Sequence, residues 1–258
     1  MTQQSFLLSQ NITLAGTWAG QEPETLVLIH GWTCRRSDWE TTLEALQDRH
    51  RLLALDLPGH GDSADQTPTQ WTVAAMAALV AETVQQHVTG PVVLAGHSMG
   101  GAVALEAALL LQNPQLKGVI LVDTFALPYG DISEEQARDI EHPFQDNFAV
   151  AIEGLVENFS AATLTPASKN TLKQQMSAAD PAFMLPLWND LLRWNPEPAL
   201  SGLTVPIHAI NGDLIPLAAK DRCEQRIKEW HLEGAGHFPQ WEMPDRFHQC
   251  LAEVMATL

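Results

Sequence analysis

Short apolar runs alternate with longer helical patterns along most of the chain, and this alternation predicts the fold class. Apolar runs with no polar break are typical of strands buried on both faces of a mainly parallel sheet. Such strands are predicted at residues 25–30, 51–56, 91–95, 118–123, 205–210 and 228–232. Helical patterns occupy residues 37–48, 70–88, the segment after 101, 216–224 and the segment from Pro244. Strands that alternate with helices in this way indicate an α/β fold with a mostly parallel sheet.

The alternation stops between residues 125 and 200, where helical segments, clustered prolines and apolar aromatics take its place. An insertion of this size between strands usually lies over one end of the sheet, where loops build binding sites. We therefore divide the chain into an α/β core, residues 1–124 and 201–258, and a helical cap, residues 125–200. Most aromatic side chains of the cap are expected in its own core. We expect only Trp188 and Tyr129 to contact a substrate there.

A serine stands between two glycines where the strand at 91–95 gives way to a helix, in the motif Gly96-His97-Ser98-Met99-Gly100-Gly101. Glycines leave room where a strand turns sharply into a helix. Such a turn exposes the serine hydroxyl and directs the backbone N–H of the next residue toward the substrate oxygen. The motif therefore predicts Ser98 as a nucleophile and the N–H of Met99 as an oxyanion donor.

A second informative motif, His30-Gly31-Trp32, follows the apolar run at 25–30. Because Gly31 allows a sharp bend, the N–H of Trp32 can turn toward the serine as the other oxyanion donor. His30 is then placed to contact the substrate. The alternative is a simple turn at the end of a strand, with His30 as a packed, hydrogen-bonded residue.

Candidates for the base and its acid partner also follow strands, at the edge where reactive groups gather in a parallel sheet. His237 lies in a loop between Gly236 and Phe238, and we predict it to be the general base. Asp213 would accept the Nδ1–H of that imidazole and stabilise its charged form. Asp123, which follows the strand at 118–123, is the rival for this position.

The net charge and the cysteine content limit which classes of binding partner and which kinds of site are expected. A net charge of −17 over 258 residues argues against nucleic acid or an anionic membrane surface and is compatible with a small neutral or cationic substrate. Cys34, Cys223 and Cys250 are too scattered for a disulfide framework, and no Cys/His cluster has zinc-ligand spacing. The first residues carry no secretory pattern. We expect a cytoplasmic monomer or homodimer that uses no cofactor and no metal.

These motifs together resemble the α/β-hydrolase superfamily, in its branch of small cofactor-free esterases and related hydrolases. The matching segments are His30-Gly31-Trp32, residues 55–63 (LDLPGHGDS), residues 96–101, Gly212-Asp213 and Gly236-His237-Phe238. The resemblance implies an eight-stranded sheet, a cap inserted after the sixth strand, and Ser98, Asp213 and His237 as a catalytic triad. The cap region itself is not well covered by it.

Within that superfamily the sequence favours an ester hydrolase acting on a small carboxylic ester. A lactonase, a thioesterase or a carbon–carbon bond hydrolase would use the same triad, and a non-catalytic ligand-binding member of the fold is the alternative of a different class. His30-Gly31-Trp32 together with residues 57–61 (LPGHG) is also similar to the esterases that act on a carrier-bound methyl ester. However, residues 130–200 contain only four basic residues to receive an acidic carrier, namely Arg138, Lys169, Lys173 and Arg193.

Overall fold

The computed structural model describes residues 1–111, 114–223 and 225–258, and within these residues eight strands form one sheet. The strands are β1 Thr2–Leu7, β2 Thr13–Ala19, β3 Thr25–Ile29, β4 Arg51–Leu55, β5 Val92–His97, β6 Leu116–Val122, β7 Ile207–Asn211 and β8 Ile227–His231. Their order across the sheet is β1-β2-β4-β3-β5-β6-β7-β8. Only the β1–β2 and β2–β4 pairs are antiparallel. The predicted fold class, an α/β-hydrolase fold with a mostly parallel sheet, is confirmed.

Helices flank this sheet and fill the long connection between β6 and β7. They are α1 Glu40–Leu46, α2 Val73–His87, α3 Met99–Leu111, α4 Glu134–Asp146, α5 Phe148–Phe159, α6 Pro166–Ser177, α7 Pro181–Leu192, α8 Glu197–Gly202, α9 Leu217–Cys223, α10 Pro239–Glu242 and α11 Pro244–Met255. The predicted helix at 216–224 corresponds to α9, and its last residue, 224, lies outside the described residues. No described helix has both the length and the hydrophobicity needed to cross a bilayer.

The central strands bury both faces, as their unbroken apolar runs predict. In β3, Val27 and Ile29 pack into the apolar layer on one side of the sheet, whereas Leu26 and Leu28 pack into the layer on the other side. Strands with no polar face must be covered on both sides. This double cover fixes the central strands, and with them the loops that follow their carboxyl ends.

Strand β5 lies between β3 and β6. Strands β1 to β4, which precede β5 in the chain, lie on one side of it in the sheet, and strands β6 to β8 lie on the other side. The register pairs Gly96 of β5 with Ile29 of β3, and His97 of β5 with Val122 of β6. The three strands therefore end at the same level. In sheets of this kind, ligands bind outside the carboxyl ends of the strands where the order reverses.

Helices α4 to α7 lie within residues 125–200, which we call the cap segment, and α8 begins in this segment and ends two residues after it. Helices α4 to α7 each begin after a polar side chain that accepts a hydrogen bond from a backbone N–H of the first turn, in the order Ser133, Asn147, Thr165 and Asp180. Side chains then tie the segment to the rest of the chain. The Asp190 carboxylate accepts from the Val73 N–H at 2.8 Å, and the Trp194 indole donates to Glu106 at 2.8 Å.

Candidate active site

Ser98 occupies the sharp turn between β5 and α3, in the left-handed backbone conformation with φ 51°. Residues other than glycine rarely adopt that conformation, and it is common at strained functional turns. The neighbouring glycines make the turn possible. A Cβ on Gly96 would collide with the carbonyl of Gly100, and a Cβ on Gly100 would lie 2.6 Å from the carbonyl oxygen of His30.

A chain of hydrogen bonds runs from this serine to a buried aspartate. The Nε2 atom of His237 lies 3.0 Å from Ser98 Oγ, and its Nδ1 atom lies 2.7 Å from Asp123 Oδ2. Asp123 is fully buried, and its second oxygen accepts from the Gly212 N–H at 2.9 Å. The three side chains have the mutual arrangement of nucleophile, general base and orienting acid.

The expectation for Asp213 has to be corrected, because the structure pairs His237 with the rival aspartate, Asp123. The Asp213 side chain is about half exposed, and it accepts from His231 Nε2 at 2.8 Å and from the Gly234 N–H at 3.0 Å. The hydrogen bond from His231 is the main reason that the pKa of Asp213 is lowered. Its carboxylate is therefore engaged at the surface, away from the imidazole it was expected to orient.

The two expected oxyanion donors belong to turns that adjoin Ser98. Met99 is the first residue of α3, so its N–H has no acceptor in a preceding helical turn. Trp32 follows Gly31, and a Cβ on Gly31 would lie 3.3 Å from the Cβ of Ser98. The turn after β3 therefore passes against the serine, and only a glycine at position 31 leaves this approach open.

His30 was expected to contact the substrate, but the structure places it beneath the loops. It is 1% exposed, its Nδ1 atom lies 2.8 Å from the Gly31 carbonyl oxygen, and its Nε2 atom accepts from the Leu57 N–H at 3.0 Å. Burial lowers its pKa to about 4, so the ring is neutral. His30 joins the turn after β3 to the loop after β4, which is the packed alternative of the sequence analysis.

A cavity of about 340 Å³ borders Ser98 and His237 and extends under the cap segment. Trp188 and Tyr129, the other two residues expected to contact substrate, both line it. The Trp188 ring stacks on Trp32 with centroids 4.5 Å apart, and the Trp32 indole donates to the Met184 carbonyl oxygen at 3.0 Å. Aromatic and aliphatic side chains dominate the lining, as is usual for sites that take small apolar molecules.

Comparison with known proteins decides the family. The model of the alpha/beta hydrolase family matches residues 26–249. This chain belongs to the α/β hydrolase family. The resemblance noted in the sequence is thereby confirmed.

Relatives of this α/β hydrolase include named esterases. It is 30% identical over 222 residues to a pimeloyl-acyl-carrier-protein methyl ester esterase of Vibrio campbellii, covering 80% of this chain and 83% of the relative. It is 25% identical over 246 residues to a biotin biosynthesis bifunctional protein of Cellvibrio japonicus, and it spans 48% of the length of that relative and 90% of its own. A solved thermophilic esterase from Thermogutta terrifontis matches with TM-score 0.84 at 25% identity, over 100% of this chain and 99% of that one.

Two residues around the hydrolase site were missed by sequence reasoning. The Nε2 atom of His97 lies 2.6 Å from the carbonyl oxygen of His237. Burial lowers the pKa of His97 to about 3, so its ring is neutral. Because a carbonyl oxygen can only accept, the neutral ring donates its Nε2–H to His237. Glu242 accepts from the Gly236 N–H at 2.6 Å. His97 had one available signal, its position directly before the serine. No sequence signal marked Glu242, because the backbone N–H groups that its carboxylate binds belong to loops whose positions depend on the whole fold.

No group of three or more His, Cys, Asp or Glu side chains in the described part of the chain is placed to hold a metal ion.

Proposed function

We propose that this α/β hydrolase cleaves small carboxylic esters through an acyl-enzyme on Ser98. The observation that carries the proposal is the continuous hydrogen-bond chain from Ser98 through His237 to Asp123, at the edge of an apolar cavity. A serine within 3.0 Å of an imidazole has a base for its proton. This geometry favours catalysis over the alternative of a non-catalytic ligand-binding protein.

The reaction follows from the positions of these groups. Ser98 Oγ attacks the ester carbonyl carbon while His237 Nε2 takes its proton. The backbone N–H groups of Trp32 and Met99 hold the oxyanion of the tetrahedral intermediate. When the intermediate collapses, the carbon–oxygen bond to the alcohol breaks and His237 protonates the leaving oxygen. Asp123 keeps the Nδ1–H tautomer and stabilises the imidazolium.

Deacylation repeats these steps with water in place of the serine. His237 removes a proton from water as its oxygen attacks the acyl carbonyl carbon, and it returns that proton to Ser98 Oγ when the intermediate breaks down. The products are a carboxylic acid and an alcohol. The names of the relatives, which include methyl ester esterases, support an oxygen ester as the bond cleaved.

We also infer that the ester is a free small molecule and is not presented on an acidic carrier protein. All four basic residues of the cap segment are engaged with carboxylates of that same segment. The pairs are Arg138 with Glu134 at 3.5 Å, Arg193 with Glu134 at 2.7 Å and with Glu141 at 2.5 Å, Lys169 with Glu157 at 3.1 Å, and Lys173 with Glu157 at 2.7 Å.

The charge balance of the cap segment points the same way. Residues 125–200 contain eleven Asp and Glu against four Lys and Arg. Protein partners steer each other through opposite potentials, and juxtaposed like charges disfavour association. An acidic carrier would therefore be repelled by the surface around the cavity, whereas a neutral ester would not.

Hydrolysis of p-nitrophenyl butyrate tests the proposed chemistry. Ser98→Ala removes the nucleophile, and we expect kcat to fall by at least about 10⁴-fold, as is typical when a triad serine is removed. Ser37→Ala, at an exposed serine, is the matched control and is expected to keep full activity. Full turnover by Ser98→Ala would overturn the proposal.

The choice of a free substrate is tested with one methyl ester offered in two forms, as dimethyl pimelate and as the pimeloyl methyl ester on acyl carrier protein. We expect kcat/KM to be at least as high for the free form. A preference of about tenfold or more for the carrier-bound form would contradict this inference and leave ester hydrolysis standing.

A further inference from the structure

Tyr129 is a buried residue that lines the cavity beside Ser98, and its surroundings hold it in place. It is 3% exposed, and its ring meets the edge of Trp194 with centroids 5.8 Å apart. Its backbone N–H donates to the Leu127 carbonyl oxygen at 2.9 Å, and its own carbonyl oxygen accepts from the Arg222 guanidinium. The ring is therefore fixed at the cavity wall.

The hydroxyl of this tyrosine has no hydrogen-bond partner among residues 1–111, 114–223 and 225–258. Buried tyrosine hydroxyls normally find a partner, because an unmet polar group in an apolar environment is costly. Burial also raises the pKa of Tyr129 well above its ordinary value, so the group keeps its proton and remains a donor.

Among the other buried polar groups at the cavity wall, the Trp188 indole N–H also has no hydrogen-bond partner in the described residues, whereas three further side chains are engaged within the protein. The Trp32 indole donates to Met184, His97 bonds to the backbone of the loop that carries His237, and His237 itself is bonded to Ser98 and Asp123. Tyr129 thus presents a free donor in a chamber that also contains the nucleophile.

We propose that the Tyr129 hydroxyl donates a hydrogen bond to a second oxygen of the substrate, apart from the reacting ester group. The substrates would then be oxygen-substituted small esters that carry a ketone, ether or hydroxyl oxygen. This proposal rests on the ester hydrolysis proposed above. It makes Tyr129 a specificity-determining residue, with no part in the bond-breaking steps.

The second oxygen is neutral because the cavity offers no balancing charge. Neither lysine nor arginine is among the described residues that line it. An ionised carboxylate would lose its hydration there without gaining a cationic partner, and burying an unpaired charge is far more costly than burying a neutral carbonyl.

Tyr129→Phe tests the proposal with pairs of substrates that differ only in the second oxygen. One member is methyl hexanoate, and the others are methyl oxohexanoates with the ketone moved one carbon at a time along the chain. Ethers with the oxygen in the alcohol part, each with its hydrocarbon counterpart, extend the set. We expect at least one oxygen-bearing ester to lose about 3- to 10-fold in kcat/KM, the worth of a neutral hydrogen bond, while its hydrocarbon counterpart is unaffected.

Two further measurements separate this role from a structural one. The melting temperature of Tyr129→Phe should equal or exceed that of the wild type, because the hydroxyl has no partner in the described part of the chain. Ile140→Val, a packing change at another lining residue, should alter both members of each pair alike. Equal losses for both members of every pair, or no change for any pair, would overturn the proposal. Ester hydrolysis itself would survive either result if turnover still requires Ser98.

Discussion

Glu242 lies outside the hydrogen-bond chain, and its side chain helps to place the loop of His237. Its carboxylate is 6% exposed and accepts from the Gly236 N–H at 2.6 Å and from the Ala161 N–H at 2.8 Å. Burial raises its pKa, and the backbone N–H donors act in the opposite direction. One side chain therefore joins the His237 loop to the end of α5.

Glu242→Gln should lower both stability and kcat. An amide has one acceptor oxygen, so one of the two N–H groups would face another donor, at a cost of about 1–3 kcal/mol. A displacement of the loop would also misplace His237, and small misplacements of catalytic groups reduce kcat by about 10²-fold. Urea denaturation and p-nitrophenyl butyrate kinetics measure the two effects.

The control for Glu242→Gln is Glu233→Gln, which removes the same charge from an exposed side chain near the same loop. It should leave both stability and kcat close to wild type. If the two variants behave alike, the buried carboxylate does not hold the loop.

The two aspartates near the site show where prediction from sequence stops at the residue scale. Asp123 and Asp213 both follow strands, β6 and β7, that are neighbours in the sheet. The strand pattern correctly predicted that both aspartates lie at the edge formed by the carboxyl ends of the strands. Which one meets His237 depends on loop paths, since Gly212 donates to Asp123 and Asp213 turns outward to His231. No local pattern encodes those contacts.

At the scale of elements, the strands and the serine turn could be predicted because their signals are local. The turn between β5 and α3 needs glycines at fixed positions. The unbroken apolar runs of the central strands are buried only in a sheet that is covered on both faces. The predicted strand at 228–232 differs from β8, Ile227–His231, by one residue at each end.

The cap segment was less predictable, because the orientation of its helices depends on contacts with distant residues. Its helix starts are signalled locally by capping side chains. Which helix face borders the cavity is not signalled. Trp188 lies against the cavity because it stacks on Trp32, a residue more than a hundred positions earlier in the chain. Division of the chain into core and cap at residues 125 and 200 stays a prediction.

For the whole molecule, three buried histidines should make stability depend on pH. Burial lowers the pKa of His30 to about 4 and those of His60 and His97 to about 3. In the unfolded chain each would titrate near 6.5. The unfolded state therefore binds more protons than the folded state below that pH, and stability falls as the pH is lowered.

One buried carboxyl group acts in the opposite direction. Burial raises the pKa of Asp38 to about 6, so the folded protein takes up this proton at a higher pH than the unfolded chain does. Its protonation favours the folded state as pH falls below about 6. The contribution of Asp38 to the pH dependence of stability therefore offsets about that of one of the three histidines.

We therefore expect the free energy of unfolding to be lower at about pH 5 than at about pH 7, by roughly 4 kcal/mol. Urea denaturation at the two pH values measures this difference. His142→Gln, at an exposed histidine, is the control and should leave the difference unchanged. Equal or greater stability at the lower pH would contradict the assignment of neutral, buried histidines.

The central claim is that Asp123 is the acid that orients His237. The most direct measurement is kcat for p-nitrophenyl butyrate in two matched variants. Asp123→Asn keeps the side-chain shape and suits the left-handed backbone, with φ 47°, but removes the charge that orients His237. We expect kcat to fall by about 10⁴-fold. Asp213→Asn should leave kcat unchanged. A large loss in Asp213→Asn together with near-normal activity in Asp123→Asn would contradict the account.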